Sequence, residues 1–345
     1  MEMRIGKHTV SPAHPMYVIA EIGVNHNGSL ELAKKMTEAA RDSGADAVKF
    51  QMFRSEELVS AQAALVDYQK TSASDSNQLE MLRRLELDEA SFLELKNYCD
   101  TLGVTFLATP FDVSSAHTLN RMGIEAFKIG SGDISNLQLL EAVASFRKPV
   151  IFSSGMSTLG DIEAAYSALK EAPQAALLHC TSAYPAPYDS INLRVIDTLK
   201  SAFGGIIGYS DHTVGMEVPI AAAALGYSIL EKHFTLDRGM PGPDHQASME
   251  PGPFKQMIEA IRHVEQALGV SQKRIHEAEA KTRNLVRRGI YAGKELPAGH
   301  VIEESDLQLL RPLGEIDAAQ YKQLLGRKTT QSFKKGEALS WQGVK

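Results

Sequence analysis

His212 and His233, with Lys49 and Lys128, are the side chains whose types and positions could do chemistry in this chain. Each histidine stands where a short apolar run ends, in Gly208-Tyr209-Ser210-Asp211-His212 and Glu231-Lys232-His233-Phe234. Neutral imidazoles on neighbouring strands can share one divalent ion and leave its other positions to water or a substrate oxygen. So open a site suits Lewis-acid catalysis on a bound carbonyl. One such histidine alone reads as a hydrogen-bonded core residue, and only the pair changes that balance. The lysines sit inside apolar runs, Ala47-Val48-Lys49-Phe50 and Ala126-Phe127-Lys128-Ile129, where an ammonium is costly unless a cavity receives it. Binding an anion is one reading of them; snorkelling at an edge is the other.

Eight apolar runs, residues 17–24, 46–51, 104–109, 125–130, 149–154, 175–181, 205–210 and 227–234, read as buried parallel strands, and helix-patterned segments separate nearly all of them. Eight strand–helix units predict a closed (β/α)8 TIM barrel, which builds its active site at the carboxyl ends of its strands. Strand parity gathers the polar residues there: Glu21 shares a face with Gly23 and Asn25, Lys49 with Gln51, Ser210 with His212, and Glu231 with His233. Ser131-Gly132 and Ser153-Ser154-Gly155 fall at turns entering helices, where hydroxyls and free backbone N–H groups can hold a phosphate. Thr109 and Tyr184, each followed by proline, read equally as site residues or as turn chemistry. Asp211 and Glu231 read as supports for the histidines or as buried charges that only stabilise.

The 345 residues, 43% hydrophobic and 23% charged, exceed one barrel and leave a small appendage. A net charge of −6 gives no electrostatic case for nucleic acid or an anionic membrane as partner. The N-terminus shows no basic stretch followed by an apolar core, and no run is apolar enough to span a bilayer, so a soluble, cytoplasmic protein is expected. Cys99 and Cys180 are too few for a disulfide framework or zinc cluster and read as structural. A helix is expected over 29–43, with Ser29 as its cap and Gly44 as its stop, and another over 253–268. The insert from Arg54 to about Leu87 has a Ser/Gln/Asp-rich centre at 72–77 that reads as a rim loop. The expected organisation is a catalytic barrel over 1–270, a charged linker helix over 271–288, and a small domain over 289–345. That last domain carries two similar phrases, Gly293-Lys294-Glu295-Leu296-Pro297-Ala298-Gly299 and Phe333-Lys334-Lys335-Gly336-Glu337-Ala338-Leu339.

Seven phrases occur in order along nearly the whole chain: Ala20-Glu21-Ile22-Gly23-Val24-Asn25-His26-Asn27-Gly28, Val48-Lys49-Phe50-Gln51, Thr109-Pro110-Phe111-Asp112, Lys128-Ile129-Gly130-Ser131-Gly132, Ser153-Ser154-Gly155-Met156, Gly208-Tyr209-Ser210-Asp211-His212 and Glu231-Lys232-His233-Phe234-Thr235. Together they resemble the sialic acid synthases, and the C-terminal part, with Leu310-Arg311-Pro312, resembles the antifreeze-like (SAF, β-clip) domain of those enzymes. The resemblance implies condensation of phosphoenolpyruvate with the open-chain aldehyde of an N-acylated mannosamine-type sugar, releasing phosphate and giving a nine-carbon 2-keto acid. It implies a manganese or magnesium ion on His212 and His233 that polarises the aldehyde. By the same resemblance Lys49, Thr109, Lys128, Ser131 and Ser153 hold phosphoenolpyruvate, and Glu21 orients or deprotonates the water or hydroxyl acting at C2. Gln51, Tyr184 and Asp244 contact the sugar. Arg311 reaches from a domain-swapped homodimer partner to the acyl group.

N-acetylmannosamine, giving N-acetylneuraminate, is the first expectation for the sugar. The alternative is 2,4-diacetamido-2,4,6-trideoxymannose, giving N,N'-diacetyllegionaminate. The phrase His179-Cys180-Thr181-Ser182-Ala183-Tyr184-Pro185 lacks an asparagine that some sialic acid synthases carry near Ser182, which affects one sugar contact. Gly242-Pro243-Asp244-His245 and Ser248-Met249-Glu250-Pro251 resemble the mannosamine-using branches rather than the pseudaminic acid branch. Two other classes remain open at this point. A metal-dependent aldolase acting on pyruvate would not need the lysine pair beside serines, and a binding protein, a degenerate barrel whose C-terminal domain recognises carbohydrate, would show no turnover.

Overall fold

The computed structural model describes residues 2–60 and 77–345, which fall into two compact units, Met1–Gly269 and Val270–Lys345. The first opens with a short antiparallel hairpin, β1 (Met3–Ile5) and β2 (His8–Val10). Eight parallel strands follow: β3 (Tyr17–Gly23), β4 (Ala47–Met52), β5 (Thr105–Pro110), β6 (Phe127–Ile129), β7 (Val150–Ser153), β8 (Ala175–Cys180), β9 (Ile206–Asp211) and β10 (Ile229–His233). They close into a barrel in which β10 pairs with both β9 and β3. Each of the eight runs read from the sequence holds one of these strands. The 125–130 run contributes only Phe127–Ile129.

Parity divides the strand residues between two environments. Val18, Ala20, Val48, Phe50, Phe127 and Phe152 face the surrounding helices, and Ile19, Ala47, Leu107, Ile151 and Ile229 face inward. Met3, Ile5 and Val10 of the hairpin join the inward set and plug the amino-terminal end of the barrel. The expected first helix runs Leu30–Asp42, capped by Ser29, whose side chain accepts from the Leu32 amide. It buries Ala33, Met36 and Ala40, and fully burying a side chain the size of Met36 is worth about 1.5–3 kcal/mol. Gly44, at φ 95°, turns the chain into β4 in a conformation most residues avoid. The last barrel helix, Pro251–Leu268, starts two residues before the expected position because proline is accepted in a first helical turn.

The insert after β4 holds helices Ser55–Leu58 and Gln78–Leu85, the second capped by Asn77. The rim loop expected at 72–77 lies, Asn77 apart, outside the described residues. In the second unit the charged stretch forms a helix only over Glu277–Val286, shorter than the span read as a linker. Beyond it β11 (Gly289–Ala292) and β12 (Leu307–Leu310) pair antiparallel. The two similar phrases pair with each other through Leu296 and Phe333, whose backbones exchange hydrogen bonds of 2.9 and 2.8 Å. Ile290, Leu296, Ile302, Phe333 and Leu339 form a separate small core there. Among the described residues no helix is long and apolar enough to cross a membrane.

Candidate active site

Above the apolar floor of the barrel, the inward positions turn polar. Lys49 leaves β4 with its Nζ 2.7 Å from Glu21 Oε2 on β3, and it donates to Thr109 Oγ1 on β5 at 3.1 Å. Lys128 on β6 donates to Ser153 Oγ on β7 at 2.8 Å and to its neighbour's carbonyl, Ile129, at 3.1 Å. Glu231 on β10 stands between the two ammonium groups, 3.5 Å from Lys128 and 3.8 Å from Lys49, and accepts from Ser210 at 3.0 Å. All four ionisable side chains are buried. Buried charges survive only in such company, since loss of one partner strands the other.

Burial opposes every one of these charges, and the neighbours decide the outcome. At Glu231, Lys128 and Lys49 outweigh burial and pull the carboxyl down to about 2. At Lys49, Glu21 and Glu231 outweigh it and hold the ammonium above its usual range. At Lys128 burial prevails over the attraction of Glu231 and the pKa falls. At Glu21 burial prevails over Lys49 and the carboxyl rises, which is the direction a general base at neutral pH requires. Gln51 Nε2 donates to Glu21 Oε1 at 2.9 Å and fixes its plane.

The ring centroids of His212 and His233 lie 5.6 Å apart, and Tyr184 packs against both, at 4.1 and 5.6 Å. His212 Nδ1 lies 2.8 Å from the Thr181 carbonyl, a contact that needs a proton on Nδ1 and so leaves Nε2 as the free lone pair. Burial, reinforced by His212, holds His233 well below the ordinary imidazole range, so it is neutral. Among the described residues its buried Nδ1 has no hydrogen-bond partner, a cost of about 1–3 kcal/mol that a bound cation would offset. At His212 burial is outweighed by Cys180 and the Thr181 carbonyl and the pKa rises, so His233 offers a lone pair directly and His212 offers Nε2 once its proton has left, a pair that fits a divalent ion. Among the described residues no set of three or more His, Cys, Asp or Glu side chains is arranged for a metal, so such an ion would take its remaining ligands from water or substrate.

Ser131, on the turn after β6, accepts from the Gly155 amide at 3.0 Å. A Cβ on Gly155 would stand 2.2 Å from Ser182 Oγ and 2.8 Å from Ser131 Oγ, so a side chain there would push both hydroxyls out of place. Asp244 is half-buried in the loop after β10, where burial, then the charge of Glu21, raises its carboxyl to about 6. That loop is anchored by Ser248 Oγ, which donates to the Asp244 carbonyl at 2.6 Å and accepts from Asn25 Nδ2 at 2.8 Å.

The barrel thus brings Glu21, Lys49, Gln51, Thr109, Lys128, Ser131, Ser153, Tyr184, His212, His233 and Asp244 to one end. Arg311 belongs to the second unit, exposed just after β12. The two carboxylates left open by the sequence separate cleanly. Glu231 lies inside the barrel with the lysines, whereas Asp211 points outward and pairs with Lys232 at 2.5 Å. Cys180, read as a plain structural residue, faces the mouth with its Sγ 3.7 Å from His212 Nδ1. Its parity with Ala176 and Leu178, both inward, carried that signal.

Residues 36–273 match the NeuB family and residues 287–345 match the SAF domain. The chain is 44% identical over 93% of its length to the N,N'-diacetyllegionaminic acid synthase of Campylobacter jejuni, of which it covers 98%. It is 41% identical over 95% of its length to the enzyme of the same name from Legionella pneumophila, covering 94% of it. To the human N-acetylneuraminate-9-phosphate synthase it is 36% identical over 85% of its length, covering 82% of that protein. Among solved structures, the N-acetylneuraminic acid synthetase of Leptospira borgpetersenii, in complex with citrate, superposes with a TM-score of 0.74 at 36% identity, over 82% of this chain and 95% of that one. With its barrel carrying the strand-end set and its C-terminal unit matching the SAF domain, the chain belongs to the NeuB family, the sialic and legionaminic acid synthases.

Proposed function

We propose that this enzyme condenses phosphoenolpyruvate with 2,4-diacetamido-2,4,6-trideoxymannose and water, releasing phosphate and N,N'-diacetyllegionaminate. One observation carries the chemistry: a lysine pair with hydroxyl partners and a pair of imidazoles 5.6 Å apart meet at the same end of the barrel. The choice of sugar is supported by the 44% and 41% identities to two proteins named for that product. These shift the weight from N-acetylmannosamine, the first expectation from the sequence, to its alternative.

In this reading Lys49, Thr109, Lys128, Ser131 and Ser153 receive the carboxylate and phosphate of phosphoenolpyruvate, exchanging contacts with Glu21 and Glu231 for contacts with the ligand. Manganese or magnesium on His212 and His233 would supply Lewis-acid polarisation of the sugar aldehyde. Lys49 and Lys128 keep the phosphoenolpyruvate carboxylate fixed while its C3 meets that carbon, and their charge offsets the growing charge of the departing phosphate. Glu21 orients the water that adds at C2 and takes its proton on a carboxylate whose pKa burial has raised. Gln51, Tyr184 and Asp244 hold the sugar, and Arg311 of a second subunit in a swapped homodimer binds its acyl group.

The test offers both sugars in parallel with phosphoenolpyruvate and manganese, beside a chelator control, and measures phosphate and 2-keto acid. A higher kcat/KM for the trideoxy sugar supports the legionaminate reading. A higher value for N-acetylmannosamine makes the enzyme an N-acetylneuraminate synthase.

A further inference from the structure

The geometry points to Asp211 and Lys232, on the outer face of the barrel wall, as positioning residues that set the separation of His212 and His233. This inference rests on the reading of that histidine pair as a metal site.

His212 is the middle residue of the turn Asp211–His212–Thr213, and both ends of that turn are held by one ammonium group. Lys232 Nζ donates to Asp211 Oδ2 at 2.5 Å and to the Thr213 carbonyl at 2.6 Å. The turn is closed on itself by Asp211 Oδ1, which accepts from the Thr213 amide at 3.1 Å and from Thr213 Oγ1 at 2.9 Å. Tyr209 OH adds a donor to the same oxygen at 2.9 Å. Asp211, Thr213 and Lys232 are 1%, 1% and 2% exposed, so the network is dry and its charge-assisted bonds are strong.

The ammonium that holds the first histidine's turn belongs to the residue next to the second histidine. Lys232 and Asp211 are direct partners in the pairing of β10 with β9, and His233 and His212 are the residues that follow them in the chain. Alternation sends the ion pair outward and both imidazoles inward. A change in the Asp211–Lys232 distance therefore moves one imidazole relative to the other. A second support acts from the site side, where the Thr181 carbonyl fixes the His212 ring, whereas among the described residues no hydrogen bond reaches His233 Nδ1 and its ring meets the edge of Tyr184. The backbone of His233 depends on its strand, and Lys232 ties that strand to the turn that bears His212. A lysine in an outward, helix-covered position is otherwise a costly choice, and stability alone would be served as well by an apolar residue there.

The test compares Lys232→Met, and the charge-balanced double variant Lys232→Met with Asp211→Asn, with the unaltered full-length protein. The double variant leaves no unpaired buried charge and guards against a simple folding failure. Manganese affinity is read by titrating the free ion's EPR signal well below the unfolding temperature, and phosphoenolpyruvate binding is read separately in metal-free protein. The expected result is a manganese Kd raised by about 10- to 100-fold, the range for residues that orient a metal's ligands, with phosphoenolpyruvate affinity unchanged. A lowered Tm with an unchanged manganese Kd would overturn the inference and leave the pair a purely structural bond. His233→Ala is the reference: if manganese binds equally well to it and to the unaltered chain, the metal reading fails and the positioning role falls with it.

Discussion

Lys128 Nζ and Glu231 Oε1 lie 3.5 Å apart inside the barrel, and the same carboxylate reaches toward Lys49 with its other oxygen. Glu231 thus shares its charge between two ammonium groups, and if phosphoenolpyruvate binds here its anionic groups replace that carboxylate at the lysines. Lys128→Ala should raise the KM for phosphoenolpyruvate by about 10- to 100-fold, the loss of one charge-assisted hydrogen bond of roughly 1.5–3 kcal/mol. Steady-state kinetics with each substrate varied in turn checks this. A rise confined to the sugar's KM would remove Lys128 from the phosphoenolpyruvate site.

Asp244 predicts an acid limb. Its carboxyl, raised to about 6 by burial and the nearby Glu21, carries charge above that pH and loses it below. If the sugar's hydroxyls bind the ionised form, kcat/KM for the sugar should fall tenfold per pH unit below about 6 while phosphoenolpyruvate binding holds. In Asp244→Asn the value should be low and this limb absent. A pH profile identical in both proteins would take Asp244 out of the sugar site.

Asp306 in the second unit, whose pKa is shifted the other way, predicts a stability effect. The carboxylate is fully buried, with Lys294 Nζ and His300 Nε2 each at 2.6 Å and the Glu303 amide donating at 2.8 Å. These contacts, led by Lys294, overcome burial and hold it down at about 2, against 3.8 for a free aspartate. A depressed carboxylate stabilises the fold above its unfolded pKa, so the contribution is complete above about pH 4 and is lost as pH falls toward 2. Trp341, the single tryptophan, packs on the core of this unit and reports its unfolding in the full chain. Asp306→Ala should lower the Tm of that signal at pH 7, and the gap from the unaltered chain should shrink toward pH 2. A gap that does not change with pH would contradict the assignment.

Arg311 predicts complementation between subunits. If it serves the barrel of a second copy, a randomly paired equal mixture of Arg311→Ala and His212→Ala chains should regain about a quarter of the native activity, since about half of its dimers are mixed and each of those has one of two sites intact. Mixing the two variants after reversible dissociation and assaying turnover provides the check. No recovery would place Arg311 with its own barrel or outside the reaction.

The barrel was legible because parallel strands covered on both faces write themselves as unbroken apolar runs, and parity then placed Glu21, Lys49, Lys128, Glu231 and His233 inside. The hairpin that plugs the barrel was not, since three-residue strands such as Met3–Ile5 and His8–Val10 carry no usable period. The Asp211–Lys232 pair also escaped. A lysine on an outward position contradicts the covering helices unless its partner on the next strand is known, and that partner follows only from the β9–β10 register. The place of Cys180 beside His212 follows from its face of β8 and not from the cysteine count. Asp244 sits in a loop whose path is set by Asn25 and Ser248, far apart in sequence, so only the resemblance pointed to it.

The central claim, carbon–carbon bond formation driven by loss of phosphate, is tested most directly by phosphate release from phosphoenolpyruvate with and without the amino sugar. Coupled condensation predicts phosphate and nine-carbon 2-keto acid in equal amounts, only when both substrates and a divalent ion are present, and neither product from His233→Ala. Phosphate release without sugar, or 2-keto acid formed from pyruvate in place of phosphoenolpyruvate, would contradict it.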